Sequence, residues 1–292
     1  MMKSLSPESI RKELHTKIIG RNIILLETID STNIYLKSLG SQQGPEGTVV
    51  LAEEQTAGRG RRGRNWTSQR GKNLTFSVLL HPTNQTQNVG LLSLLAGLAV
   101  TKAIRSSASL PAECKWPNDV LINGKKVCGI LSEMVTSADN PPSIIVGIGI
   151  NVNQTEFPEE IRETATSLFL ESASYSASLK TFGSEILLPL KRDQNDITLC
   201  FDRVRILQKV LEEVEYWYIQ YQLQRYEKII QEWKRHCSML GKTILFNQNG
   251  NIVSGVFADI AEDGALLLET NGTVQRIIAG DVTVVNPGDG YK

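Results

Sequence analysis

Along the chain, apolar positions recur at two periods, and the changes of period predict the elements. Residues 8–19 (ESIRKELHTKII) carry apolar side chains at 10, 14, 18 and 19, which predicts a short amphipathic helix. A strand is expected over 22–27. Asp30-Ser31-Thr32-Asn33 then gives four consecutive N-cap residue types ahead of Ile34, Leu36 and Leu39, so a helix should begin there. Further strands are read over 48–52, 74–80, 115–122, 127–135 and 143–150, with Asn123-Gly124 as a type I′ hairpin signal. The most apolar stretch, 91–104, is interrupted by Ser93, Thr101 and Lys102 and falls short of the roughly 18–20 residues of a membrane span. It reads as part of a buried helix over 89–105. Hairpin-joined strands with few helices between them predict an α+β fold with a mixed or antiparallel sheet, not a doubly wound one.

Beyond residue 165 the pattern weakens. Residues 165–200, Ser-rich over 172–178, read as helix pieces and surface loops. From 201 to 236 a near-helical period predicts one or two long helices, with their Trp and Tyr residues in the core. After Cys237 the texture changes to short apolar runs over 243–246, 252–257, 265–269, 273–278 and 282–285, separated by Asn-Gly, Asp-Gly and Asn-Gly turns. These predict a small barrel-like domain, dividing the chain into 1–237 and 238–292.

Composition removes several function classes. The 292 residues hold 31 Lys plus Arg against 31 Asp plus Glu, a net charge of zero, so bulk electrostatics favour neither nucleic acid nor a membrane. Any charged function must be local. The N-terminus has no continuous apolar core followed by a small-residue cleavage site. The four cysteines lie far apart without a C-x-x-C pair, which argues against a disulfide framework or zinc site and for reduced thiols in the cytoplasm. His15, His81 and His236 match no metal-ligand pattern, and no G-x-S-x-G elbow is present. No metal site is predicted.

Two constellations could carry chemistry. Residues 55–72 contain four Gly and six Arg or Lys with no acid. Within them, Gly58 to Arg64 (GRGRRGR) offers glycines that let backbone N–H groups approach an anion and guanidinium forks that fit phosphate or carboxylate. By itself the loop could equally be a solvated surface or a nucleic-acid patch. It is neither a P-loop nor a dinucleotide fingerprint. The second constellation is Lys115-Trp116-Pro117-Asn118-Asp119 with Lys125-Lys126-Val127-Cys128-Gly129. A hairpin at Asn123-Gly124 would set the two lysine-bearing segments on adjacent strands, with Lys115 and Lys126 directed at one pocket, unless both lysines lie in solvent. Gly147 and Gly149 sit in an apolar strand, where glycine marks close approach of a ligand or another backbone.

Taken together, Asp30-Ser31-Thr32-Asn33, Gln55 through GRGRRGR to Trp66, Lys115-Trp116-Pro117-Asn118-Asp119, Lys126-x-x-Gly129 and Gly147-x-Gly149-x-Asn151 resemble the biotin protein ligases in order and spacing. The resemblance covers residues 8–160 closely, and the all-β tail is similar to the SH3-like C-terminal domain of bacterial members. It implies a class II synthetase-like catalytic domain. It also implies formation of biotinyl-5′-AMP from biotin and MgATP with release of pyrophosphate, then transfer of biotin to a lysine of the biotin carboxyl carrier domain of acetyl-CoA carboxylase or a related carboxylase. The substrate carboxylate is then the nucleophile, so alignment and charge neutralisation suffice.

The resemblance implies specific roles. Ser31, Thr32, Asn33 and Gln55 would line the polar end of the biotin pocket. Gly58, Arg59, Gly60 and Arg61 would close over the carboxylate and adenylate, with Arg61 retaining the mixed anhydride. Lys126 would contact the carboxylate and α-phosphate, and Gly129 and Gly149 would let backbone approach the ligand. Arg61, Arg62, Arg64, Trp66, Lys115, Asn118, Lys126 and Asn151 would serve the nucleotide, and Lys126 and Arg61 would carry catalysis. Ligases that also repress transcription have an extra N-terminal winged helix-turn-helix, whereas only a short stretch precedes Ser31, so DNA binding is not expected. Lipoate–protein ligase resembles the same family, but its Gly-Gly-Gly run and following His are absent. A homodimer stays open.

Overall fold

In the structure, a computed structural model, residues 5–83, 89–138, 140–181, 191–192, 199–248 and 251–284 are described. The chain forms α1 (Pro7–Arg11), β1 (Ile23–Ile29), α2 (Thr32–Ser41), β2 (Val49–Gln55), β3 (Leu74–Leu80) and α3 (Val89–Ala108). Next come β4 (Ala112–Lys115), β5 (Asp119–Ile122), β6 (Lys125–Val135), β7 (Ser143–Ile150) and α4 (Leu168–Thr181). After β8 (Lys191–Arg192) and β9 (Leu199–Cys200) run α5 (Arg203–Gln222) and α6 (Tyr226–Arg235). The last unit is β10 (Thr243–Gln248), β11 (Asn251–Ile260), β12 (Leu266–Thr270), β13 (Thr273–Ile277) and β14 (Asp281–Val284).

The larger sheet has the order β1-β2-β3-β7-β6-β5-β4. Only its β1–β2 pair is parallel, so the sheet is mixed and the fold is α+β, as the hairpin-rich pattern predicts. Side-chain alternation splits it into two faces. On β7, Ile144, Val146, Ile148 and Ile150 enter the main core, which also holds α3, α5 and α6. Ile145 faces the other way, joining Leu36, Val50 and Leu79 beneath α2. That second face is only partly covered, because α2 begins at Thr32, and the uncovered part carries small and polar residues. Helix α3 is long and apolar enough to cross a membrane by length and composition, yet 67% of its apolar window is buried inside the protein. It is the central helix of the core.

Three expectations are corrected. The predicted helix over 8–19 exists only as α1. Beyond it, Glu215 on α5 accepts the backbone N–H groups of Lys17 (2.6 Å), Ile18 (2.6 Å) and Ile19 (2.8 Å). Amides that would have sustained a helical ladder are bonded to a carboxylate instead, while Leu14 and Ile19 remain buried. Lys115 and Lys126 do not lie on adjacent strands, because the segment 116–118, with a cis Trp116–Pro117 bond, ends β4 before β5 begins. The hairpin at Asn123 (φ 50°) and Gly124 (φ 78°) joins β5 to β6, which leaves Lys115 one strand further out. The Ser-rich stretch becomes part of α4, residues 191–192 and 199–200 pair as the short strands β8 and β9 where the pattern predicts helix pieces and loops, and 182–190 and 193–198 lie outside the described residues. The predicted helical region over 201–236 is the pair α5 and α6. The tail forms a five-stranded antiparallel sheet, β13-β12-β11-β10-β14, with left-handed Asn271-Gly272 (φ 50° and 74°) at the β12–β13 turn.

Candidate active site

The uncovered sheet face floors a cavity of about 550 Å³. Its floor comes from residues of one alternation phase: Thr75 on β3, Gly129 and Leu131 on β6, and Gly147 and Gly149 on β7. The first turn of α2 closes one end, the Arg/Gly loop with the 116–119 turn forms the other, and Asp281, Val282 and Thr283 of β14 contribute to the wall.

At the α2 end Ser31, Thr32 and Asn33 are buried, and Thr32 and Asn33 are held in a chain of hydrogen bonds. The backbone N–H of Thr32 donates to Gln55 Oε1 at 2.8 Å, so Gln55 caps the helix where the Ser31 side chain makes no cap bond. Thr32 Oγ1 lies 2.7 Å from Ser77 Oγ, and Ser77 Oγ donates to Asn33 Oδ1 at 2.6 Å. Asn33 Nδ2 donates to Glu133 Oε2 at 2.7 Å and to the Leu131 carbonyl at 3.2 Å. Asn33 fits only because residue 147 is glycine: a Cβ there would stand 2.2 Å from its Oδ1.

The other end is built from charge. Lys126 Nζ pairs with Asp119 Oδ1 at 2.6 Å and lies 5.8 Å from the Trp66 ring centroid. The Trp66 indole fills the notch over Gly149, where a Cβ would come within 2.3 Å of the ring. Arg61 Nη1 donates to Asn118 Oδ1 at 3.1 Å, and Asn118 Nδ2 donates to the Ile130 carbonyl at 2.7 Å, tying the loop to β6. Burial pulls the Arg61 pKa below the ordinary guanidinium value, with Asp281 opposing that shift. Three buried polar atoms here lack a hydrogen bond: Trp66 Nε1, Asn151 Oδ1 and Asp119 Oδ1, the last held by its ion pair with Lys126 while the first two have no partner. Trp66 and Asn151 both line the cavity, so a donor and an acceptor already out of water stand ready for a ligand. Burial pushes the Cys114 and Cys128 thiols up, so neither is a ready nucleophile. Among the described residues no group of three His, Cys, Asp or Glu could hold a metal ion.

The smaller sheet is attached at the charged end. Asp281 forms ion pairs with Arg64 and, at 3.5 Å, with Arg62, while Trp116 Nε1 donates to the Gly264 carbonyl at 2.9 Å. Arg62 has a left-handed backbone (φ 55°) and is exposed.

A family model described as "Biotin/lipoate A/B protein ligase family" matches residues 25–151, and one described as "Biotin protein ligase C terminal domain" matches residues 239–285. The bifunctional ligase/repressor BirA of Bacillus subtilis is 35% identical over 280 residues, 95% of this chain and 78% of that protein. The chain belongs to the biotin protein ligase family. The biotin–[acetyl-CoA-carboxylase] ligase of Mycobacterium tuberculosis is 31% identical, with 95% of this chain and 96% of that protein aligned. Among solved structures, the biotin protein ligase from Aquifex aeolicus in complex with biotin and ATP superposes with a TM-score of 0.71 at 32% identity, covering 91% of this chain and 99% of that one. The protein is thus a ligase whose α+β catalytic fold and small antiparallel C-terminal sheet are those of the family.

Of the residues expected in this ligase site, Ser31, Thr32, Asn33, Gln55, Arg59, Gly60, Arg61, Arg64, Trp66, Lys115, Asn118, Lys126, Gly129, Gly149 and Asn151 line one cavity. Gly58 and Arg62 do not. Gly58 lies behind the loop, where a Cβ would meet the Trp66 carbonyl oxygen at 2.3 Å, so its part is to let the loop fold back on itself. Arg62, exposed and left-handed at φ 55°, reaches Asp281 at 3.5 Å from outside the lining. Sequence reasoning passed over Ser77, Glu133 and Asp281, and named Asp119 within its motif without giving it a role. Strand alternation could have flagged two of them: Ser77 lies among Val and Leu, and Glu133 shares a phase with Gly129.

Proposed function

We propose that the protein activates biotin with MgATP to biotinyl-5′-AMP, releasing pyrophosphate, and then transfers biotin to a lysine of a biotin carboxyl carrier domain. The observation that carries this reading is the single cavity with a hydrogen-bonding end and a cationic end, which suits a molecule polar at one end and reactive through a carboxylate at the other. In the first step a biotin carboxylate oxygen attacks the α-phosphorus and pyrophosphate leaves. In the second the acceptor amine attacks the carbonyl carbon and AMP leaves with the bonding electron pair.

The protein's own part is positioning and charge. Lys126, aimed by Asp119, neutralises the carboxylate and α-phosphate as they approach. Arg61, fixed by Asn118, covers the mixed anhydride and keeps water from it. Trp66 Nε1 and Asn151 Oδ1 gain partners when the nucleotide is bound. Magnesium enters with ATP as part of the substrate. The acceptor is the carrier domain of acetyl-CoA carboxylase or a related enzyme, and the four buried free cysteines suit a reducing cytoplasm.

The test is pyrophosphate–ATP exchange with biotin, lipoate or no acid. Exchange that requires biotin is expected. Exchange with lipoate alone would reassign the substrate, and no exchange from folded protein would overturn the adenylation reading.

A further inference from the structure

The amide of Asn33 has one permitted orientation. Its nitrogen faces Glu133 Oε2 and the Leu131 carbonyl, both acceptors, so a flipped amide would set oxygen against oxygen. Asn33 Oδ1 must therefore accept, and the only proton of the Ser77 hydroxyl goes to it at 2.6 Å. In the 2.7 Å contact between Thr32 Oγ1 and Ser77 Oγ, Thr32 is then the donor. Its proton is committed there and not to Gln55 Oε1 at 3.1 Å, which instead accepts the Thr32 backbone N–H at 2.8 Å. What remains for a ligand is fixed: lone pairs on Thr32 Oγ1 and the amide nitrogen of Gln55, one acceptor and one donor.

The direction of this relay is set at Glu133 and the Leu131 carbonyl, of which Glu133 is the closer and the charged acceptor. The second oxygen of Glu133 is held by Lys37 Nζ at 2.6 Å, from a residue one helical turn beyond Asn33 on α2. We propose that Glu133, anchored by Lys37, is a specificity-determining positioning residue. Through Asn33, Ser77 and Thr32 it sets the proton order at the α2 end of the cavity, so that this end matches the C=O and N–H edge of a cyclic urea. An acid whose far end carries neither group leaves both Thr32 and Gln55 unpaired out of water, which is how a polar site rejects an apolar analogue. The inference rests on the biotin-ligase reading and extends it to a residue with no direct ligand contact.

The experiment is pyrophosphate–ATP exchange by the full chain with biotin or lipoate, comparing wild type with Glu133→Gln, Glu133→Ala and Lys37→Met. Glutamine keeps the shape but cannot supply an acceptor to both Asn33 and Lys37. Glu133→Gln should raise the biotin KM about tenfold, hold the ATP KM within about twofold and shrink the biotin-over-lipoate preference about tenfold. Lys37→Met should do the same to a smaller extent, and Glu133→Ala to a larger one. Thermal unfolding identifies the folded variants, and if Glu133→Ala does not fold, Glu133→Gln and Lys37→Met carry the test. Folded variants with wild-type biotin KM and preference would overturn the relay, as would a loss falling equally on biotin, lipoate and ATP. Wild type lacking biotin-dependent exchange would instead remove the ligase reading on which the relay rests.

Discussion

Gly147 and Gly149 stand two residues apart on one face of β7, and each makes room for a large side chain, yet the two neighbourhoods are built differently. At Gly147 the neighbour is Asn33, bonded through both amide atoms to Ser77, Glu133 and the Leu131 carbonyl. At Gly149 it is Trp66, whose buried N–H has no partner. The first end holds its arrangement before any ligand arrives, with the Thr32 Oγ1 lone pairs and the Gln55 amide nitrogen left to offer. The second is held by groups with another partner to take: Lys126 on Asp119, Arg61 on Asn118, and Arg62 and Arg64 on Asp281. The α2 end is therefore preorganised, while the cationic end is assembled from interactions that binding can exchange.

The sharpest break between the two ends is at Lys126. On the proposed reading Lys126→Ala removes the cation that meets the reacting groups and touches nothing near Asn33, so biotin-dependent pyrophosphate exchange should fall by about 10²–10³-fold, with biotin affinity changed far less. Steady-state exchange and direct titration of biotin separate the two. Gly147→Ala should act in the opposite sense. Asn33 cannot yield without leaving a charged partner, so the added methyl costs about 2–3 kcal/mol in stability and raises the biotin KM. Gly149→Ala meets an indole with no hydrogen bond to lose, and the stability cost should stay near 1 kcal/mol. Thermal denaturation of the two variants compares them directly, and a larger loss from Gly149→Ala would reverse the contrast drawn between the ends. Next in size is Arg61→Gly. Adenylation should persist within about tenfold while the anhydride escapes, so free biotinyl-AMP accumulates in a chromatographic assay without carrier protein.

The same contrast governs how much could be read in advance. The cationic end was legible because arginine, lysine and glycine at fixed spacing state their chemistry locally. The sheet class followed from hairpin signals and alternation. The α2 end was legible only in part: residues 30–33 marked a helix start, but the pairing of Asn33 with Glu133, 100 positions later, depends on which strands neighbour each other. Likewise, nothing local announces that Glu215 will draw the amides of 17–19 out of a helix. Arg62 and Arg64 looked alike in the loop, and the left-handed turn at Arg62 separates them. Asp281 sits in an unremarkable Gly-Asp pair, and only the docking of β14 against the loop gives it a partner.

The smallest expected effect tests whether that docking matters. Arg64 and Asp281 are 62% and 40% exposed, and pairs in water contribute about 0–1 kcal/mol each. Asp281→Asn should thus leave stability within about 1 kcal/mol and adenylation within about twofold, while release of free biotinyl-AMP rises modestly, about two- to fivefold. Salt supplies an independent check, because screening contracts from about 10 Å at 0.1 M to about 3 Å at 1 M. Raising ionic strength should increase release from wild type toward the Asp281→Asn level and change the variant little. Equal salt sensitivity in both proteins would locate the screened interaction elsewhere in the loop. No release from either would mean that Arg61 and Asn118 hold the roof without help from β14.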